Sequence, residues 1–410
     1  MKDDTPARRS ISEVEAMFAA ADKDFDSWMP HQLIPLENWE GQDCAGKHLV
    51  HYPTGKGKTK IMLGMIAMSG YGVCVVIAPP ITHSKWIAEG KMVGIKVIAM
   101  SHAKFRQPDV RLLRNTPIIV DEFHLLGGHT GKGWTKLDRA AAGLQAPLIL
   151  GSATPNYNDA ERCYCIVHVL NPFGNRGGFL TWLYRHCQTE NNPFGAEPKV
   201  LGFLQYKDAA EFLADQPFVS YLPDDAPDIV VDYPIDHPEL GEDFEEYHLD
   251  DTRERVMASL MEIRQRRSYR YIVENDEISE DVSEQLSYLI GQSLEDESWL
   301  IFCNRKEIAK RVTQLFDQAE LPYVYIDGDS TDKEKNAALA KFLSREVFFM
   351  IGTASMATGT DGIDKVCKKM IIVDDTPDDS LRRQLVGRIL PRGIVTPDDY
   401  VGRVAYRFTY

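Results

Sequence analysis

The chain has 410 residues, 44% of them hydrophobic and 26% charged, with a formal net charge of -15, a make-up that fits an ordinary globular protein long enough for two domains with separate cores. It has no apolar run of the roughly eighteen residues needed to span a membrane, and its start, MKDDTPARRS, places acidic residues where a secretory leader has an apolar core, so the expectation is a cytoplasmic protein without a membrane partner. The acidity is concentrated in residues 221–300, which carry a net -17, while the flanking regions are close to neutral and retain the capacity for a local phosphate-binding groove.

Residues 1–26 are polar, with a weak helical pattern from Ile11 to Ala21, and read as an N-terminal arm. From Trp28 onward, short apolar runs alternate with helix-compatible stretches. Runs at 47–50, 73–78, 96–100, 117–120 and 147–150 are short and, apart from Lys47, His48 and Lys96, apolar, as expected of strands covered on both faces of a parallel sheet. The grammar restarts at Ser298, with candidate strands at 298–303, 322–326, 347–351, 370–373 and 403–408 and helices at 306–316, 332–343 and 380–390. The expected division is an arm (1–26), an α/β lobe (27–224), an acidic, helical or irregular connecting segment (225–297) and a second α/β lobe (298–410). Seven scattered cysteines, the nearest pair being Cys163 and Cys165, suggest reduced structural thiols.

The stretch His51–Lys60, HYPTGKGKTK, lies between an apolar run and a helix-compatible one. This is the layout of a phosphate cradle, Gly55-Lys56-Gly57 turning the backbone N–H groups inward, Lys58 adding a cation and Thr59 a hydroxyl for Mg2+. Tyr52 occupies the place of the first glycine in the full motif. Further on, 118–120 ends in Asp121-Glu122-Phe123-His124, where Asp121 would hold the magnesium through water and Glu122 would activate the attacking water. Ser152 and Thr154, in GSATP, offer hydroxyls to relay nucleotide state to the DEFH residues, including His124. In the second lobe, TASMATGTD places Gly359 and Asp361 at a strand-to-helix turn. QLVGRILPR contains Gln384, Arg388 and Arg392, the two arginines one helical turn apart if a helix continues through Pro391, so that both serve as arginine fingers. Gly131-Lys132-Gly133 lacks the following Lys-Thr and reads as a surface loop. Arg264, Arg266, Arg267 and Arg270, beside Tyr269 and Tyr271, are either contacts for nucleic-acid phosphates and bases or partners of the surrounding acids.

In this order, GKT, DExH, SAT, TxxxxxGxD and QxxGR, the motifs resemble those of the superfamily-two helicases and translocases. The resemblance covers most of the chain from Trp28 and implies two RecA-like lobes with ATP in the cleft between them. Within the first lobe, IAPPITHSKWIAE and GSATPNYNDAERCYCIVHVLNPFG are similar to segments of the Swi/Snf-type translocases, as is IDGDSTDKEKNAALAKF in the second, with Lys335 where arginine is usual. Gln32, in Pro30-His31-Gln32, sits where such proteins carry a glutamine that reads the adenine. GTDGID looks more like a generic helicase, and Pro391 displaces the second arginine of the finger motif. The implied function is an ATP-dependent DNA translocase, with DNA favoured over RNA. The alternatives are a strand-separating or branch-migrating helicase, or a nucleotide-gated remodeller whose acidic segment 221–300 docks a protein partner.

Overall fold

The computed structural model describes residues 7–410 apart from 24, 41–45, 54, 154–159, 172–176, 192–197, 224–225, 236–268, 270, 292–296, 358–359, 361 and 393–395. The chain divides into two units, Met1–Asp225 and Ala226–Tyr410, each built on a six-stranded, all-parallel sheet.

In the first unit the strands are β1 Lys47–His51, β2 Val73–Ile77, β3 Lys96–Met100, β4 Ile118–Asp121 and β5 Leu148–Ser152, then an antiparallel pair β6 Cys187–Glu190 and β7 Lys199–Phe203, and β8 Val219–Tyr221. The main sheet runs β3-β2-β4-β5-β1-β8. Its helices are α1 Ile11–Ala21, α2 Pro30–Glu40, α3 Lys58–Met68, α4 His83–Met92, α5 His102–Phe105, α6 Lys132–Ala142, α7 Ala160–Leu170, α8 Phe179–His186 and α9 Ala209–Ala214. The continuous apolarity of the strands has a direct cause, because successive residues enter opposite cores. Leu49, Val75, Ile118 and Leu148 pack with α6 to α9, whereas Val50, Val76, Ile119 and Ile149 pack with α1 to α4.

Two expectations are corrected in this unit. Residues 11–21 form a helix but not a free arm. Val14 and Phe18, one turn apart, are fully buried, Phe18 meets Trp28 edge-on at 5.2 Å, and Arg9 Nη1 donates to Ala67 O at 2.9 Å. The apolar stripe on an otherwise polar segment is what docks it on α3. Gly131-Lys132-Gly133 is the start of α6 rather than a loop. Gly133 is buried there and lies so close to Leu126 that a Cβ would sit 2.6 Å from its carbonyl oxygen.

The second unit contains β9 Val230–Pro234, a short hairpin of β10 Val273–Glu274 and β11 Glu277–Ile278, then β12 Ser298–Cys303, β13 Tyr323–Ile326, β14 Phe349–Gly352, β15 Cys367–Asp374 and β16 Val404–Thr409. The sheet order is β13-β14-β12-β15-β16-β9. This unit begins well before 298. β9 pairs along β16, Val230 opposite Ala405 through Pro234 opposite Thr409, and helix Glu280–Gly291 buries Val282, Leu286 and Leu289. An edge position explains how β9 tolerates a terminal proline. Parts of the expected connector are therefore sheet and core of the second unit. Most of its acidic residues, and Arg264, Arg266, Arg267 and Arg270, lie outside the described residues.

Candidate active site

Register brings the first-unit motifs to one end of the sheet. β5 lies between β1 and β4, with Gly151 opposite both Val50 and Asp121, and Ser152 opposite His51. The strand ends of an open parallel sheet form the usual crevice for a ligand. Gly151 also leaves room for α3 to approach, since a Cβ there would sit 2.7 Å from Met62 Cε.

The glycine loop closes on its own backbone. Gly55 and Gly57 have φ of 83° and 79°, a left-handed conformation that glycine adopts freely. A Cβ on Gly57 would overlap the Gln32 side-chain amide. Gly57 is the N-cap of α3 and supplies no side-chain cap, leaving the first N–H groups of the helix for an anion. Lys58 Nζ donates to Tyr52 O at 2.9 Å and Pro53 O at 3.1 Å. Tyr52 takes the first glycine's place at no steric cost: its ring is fully buried and its hydroxyl donates to His31 O at 2.6 Å. Gln32 is buried, accepts from Met29 N at 3.1 Å and donates to Lys56 O at 3.4 Å, so the upstream glutamine lies against the loop.

Asp121 ends β4. Its Oδ1 accepts from Glu122 N at 3.1 Å and its Oδ2 from the Trp86 indole at 3.3 Å. Burial raises the Asp121 carboxyl above the usual carboxylate range, and the Glu122 charge adds to this; the charge of Lys58 and the Trp86 bond pull the other way. Glu122 holds φ of 48°, a sparsely populated conformation for a residue with a Cβ. Its Oε2 accepts from Ser152 Oγ at 3.3 Å and lies 3.4 Å from His124 Nδ1, which is 3.2 Å from Ser152 Oγ. Glu122, His124 and Ser152 thus form one polar triangle. Thr154 lies outside the described residues.

Two supporting residues were not identified as such from the sequence. Trp86, noted there only for its family resemblance, is buried beneath Asp121, and His102 Nε2 lies 2.9 Å from Asp121 O. Burial pushes the His102 ring down to about 4. Their separations from Asp121 in sequence, 35 and 19 residues, follow no local period, so only the fold brings them there.

A nucleotide and Mg2+ fit this donor set. The uncapped start of α3 with Lys58 suits phosphates. Thr59 and Asp121 would supply the few protein ligands of a magnesium that takes its other ligands from phosphate and water.

In the second unit, helix Asp379–Val386 stops before Arg388, so the two arginines do not lie one helical turn apart. Pro391 lacks the N–H that a continuing helix requires and disfavours a helical residue before it. Arg388 is buried and donates to Ala357 O, in the turn Ala354–Ala357 that follows β14. Arg392 instead pairs with Asp364, Nε to Oδ1 at 3.2 Å. Gln384 is buried on the same short helix, and Gly359 and Asp361 lie outside the described residues.

Comparison with the curated proteins finds no match. Among solved structures, Pyrococcus furiosus Hef helicase domain aligns with TM-score 0.47 and 13% identity, over 92% of this chain and 94% of that one. S. cerevisiae Dbp5 bound to RNA and ADP BeF3 aligns with TM-score 0.57 and 14% identity, over 98% of this chain and 89% of that one. The family model of the helicase conserved C-terminal domain matches residues 281–392, from the helix before β12 to Arg392. The chain therefore has the two RecA-like α/β lobes of the Dbp5 fold, and residues 281–392 of the second match the helicase conserved C-terminal domain.

Proposed function

We propose that the chain is an ATP-driven nucleic-acid motor that tracks along duplex DNA. The observation carrying this reading is the register that aligns Val50, Gly151 and Asp121 across β1, β5 and β4, gathering the phosphate loop, the acid pair and Ser152 at one sheet end. The helicase C-terminal domain match supports it from the second unit.

Gly55, Lys56, Gly57 and Lys58 cradle the β- and γ-phosphates, and Gln32 reads the adenine. Asp121 and Thr59 would hold Mg2+, which supplies charge neutralisation at the phosphates when bound. Glu122 orients the attacking water and takes its proton, while Ser152 and His124 fix the Glu122 carboxylate in place. Arg388 is the finger that stabilises the transferring phosphoryl group, and Gln384, Gly359, Asp361 and Thr154 couple hydrolysis to movement. Arg392, tied to Asp364, is the weaker choice for a finger.

Preference for DNA rests on the Swi/Snf-like stretches around Trp86 and Asn158. The GTDGID and QLVGRI segments favour a strand-separating helicase instead. ATPase rates with single-stranded DNA, duplex DNA, forked DNA and RNA test the reading, alongside triplex and strand displacement. Duplex-stimulated turnover with triplex displacement but no unwinding is the expected result. An ATPase indifferent to every nucleic acid would refute the motor and favour remodelling of a protein partner through 221–300.

A further inference from the structure

The first unit bears a cationic face that the nucleotide site does not use. On α6, Lys132, Lys136 and Arg139 are spaced four and three residues apart and share one side, opposite the buried Trp134, Leu137 and Ala141. The segment 102–114 packs alongside. Lys136 Nζ donates to Gln107 O at 2.5 Å, Arg106 donates to Leu125 O, and the Arg114 guanidinium lies against Gly143 just past the end of α6. This adds Lys104, Arg106, Arg111 and Arg114, all exposed. Of the two acids in these segments, Asp109 lies 3.5 Å from Lys104 within the face and offsets that one charge, and Asp138 lies 3.5 Å from His168 on α7. Among the described residues, Arg111, Arg114, Lys132 and Arg139 form no ion pair.

Like charges three and four residues apart on a helix repel and destabilise it, so a surface shaped only for stability would interleave acids here. That repulsion is relieved by a polyanion. We propose that α6 and residues 104–114 form an additional docking face for the phosphate backbone of duplex DNA, leading from the Asp121 end of the sheet down the flank of the first unit. This rests on the reading of the chain as a nucleic-acid motor. The α6 stripe is about 10 Å long at 1.5 Å per residue, enough for about three phosphates at 3.4 Å of axial rise per strand. Contacts of this kind position the protein without reading sequence. Burial lowers the Lys136 ammonium; the nearby Asp109 charge opposes this and Lys104 adds to it.

The test uses the full chain with K132Q/K136Q/R139Q and, separately, K132E/K136E/R139E. Anisotropy with labelled duplex DNA and with single-stranded RNA, from about 50 to about 200 mM salt, gives affinity and its salt slope. Thermal unfolding and nucleic-acid-free ATPase, both expected unchanged, report the fold and the nucleotide site. The neutral variant is expected to lose about 2 to 3 from the log–log salt slope and at least about tenfold in affinity, with the reversed variant weaker still. A larger loss with duplex than with RNA supports the duplex backbone as the ligand, and the opposite overturns it in favour of RNA. Wild-type affinity and slope in the neutral variant overturn the docking face while leaving the motor intact. Tighter binding by the reversed variant also overturns it. A wild-type chain that binds neither polymer overturns both proposals.

Discussion

At the residue scale, the acid pair depends on neighbours that supply geometry. Trp86→Phe keeps an aromatic ring in the core but removes the indole donor to Asp121 Oδ2. Loss of a hydrogen bond to a buried carboxylate costs about 1–3 kcal/mol. The expected outcome is roughly tenfold weaker Mn2+ binding in the presence of nucleotide, read by electron paramagnetic resonance, with the melting temperature little changed. Metal affinity equal to wild type would reduce Trp86 to a packing residue. Gly57→Ala adds a side chain both at positive φ and against Gln32. It is expected to abolish nucleotide binding, as checked by a fluorescent ATP analogue, whereas Lys58→Ala and Glu122→Gln should abolish turnover with the fold intact. Near-normal hydrolysis by Glu122→Gln would remove Glu122 from its proposed role.

At the element scale, α1 and β9 are where local reading and structure part. The helical pattern over 11–21 is legible in the sequence, but its docking is not, because two apolar residues do not name the surface that receives them. Since Phe18 is wholly buried against Phe25 and Trp28, Phe18→Ala should cost about 3–5 kcal/mol, measured by denaturant unfolding of the full chain. A change below about 1 kcal/mol would mean that α1 is dispensable. The helix carrying Gln384 is legible too, but it ends at Val386, and the expected alignment of Arg388 with Arg392 gives way to separate bonds to Ala357 and Asp364. Arg388→Ala is expected to lower turnover by about a thousandfold with nucleotide affinity retained; Arg392→Ala should have a much smaller effect. Equal losses would reinstate the paired fingers.

At the scale of the whole molecule, the two units differ in how they respond to acid. In the first unit, burial pushes His48 and His102 down to about 4 and His51 to about 3, with His48 held 2.8 Å from Ser220 Oγ. The described residues of the second unit contain no histidine. A histidine with a depressed folded pKa binds protons more readily when unfolded. Its contribution is therefore complete above its unfolded value of about 6.5 and declines as pH falls toward 4. The first unit should lose stability across that window while the second does not, and calorimetry at pH 7 and pH 5 should show the two transitions separating. His48→Gln should flatten the pH dependence of the first transition. Two transitions that move together would contradict this assignment.

The sequence by itself determined the two α/β lobes, since continuous apolar runs of four to six residues are stable only when both faces of a sheet are covered. It also determined the order of the chemistry-bearing motifs, because a glycine loop and a strand-end acid pair are local features whose spacing survives in one dimension. The tertiary structure decided which segments complete each sheet, as with β9 beside β16, and which distant side chains support the acids, as with Trp86 and His102 beside Asp121. Such contacts depend on packing between residues far apart in the chain and leave no period for a sequence to display. Tyr52 shows both sides: it breaks the full glycine motif in the sequence, yet the phosphate loop keeps its turn because the ring is buried and its hydroxyl is tied to His31.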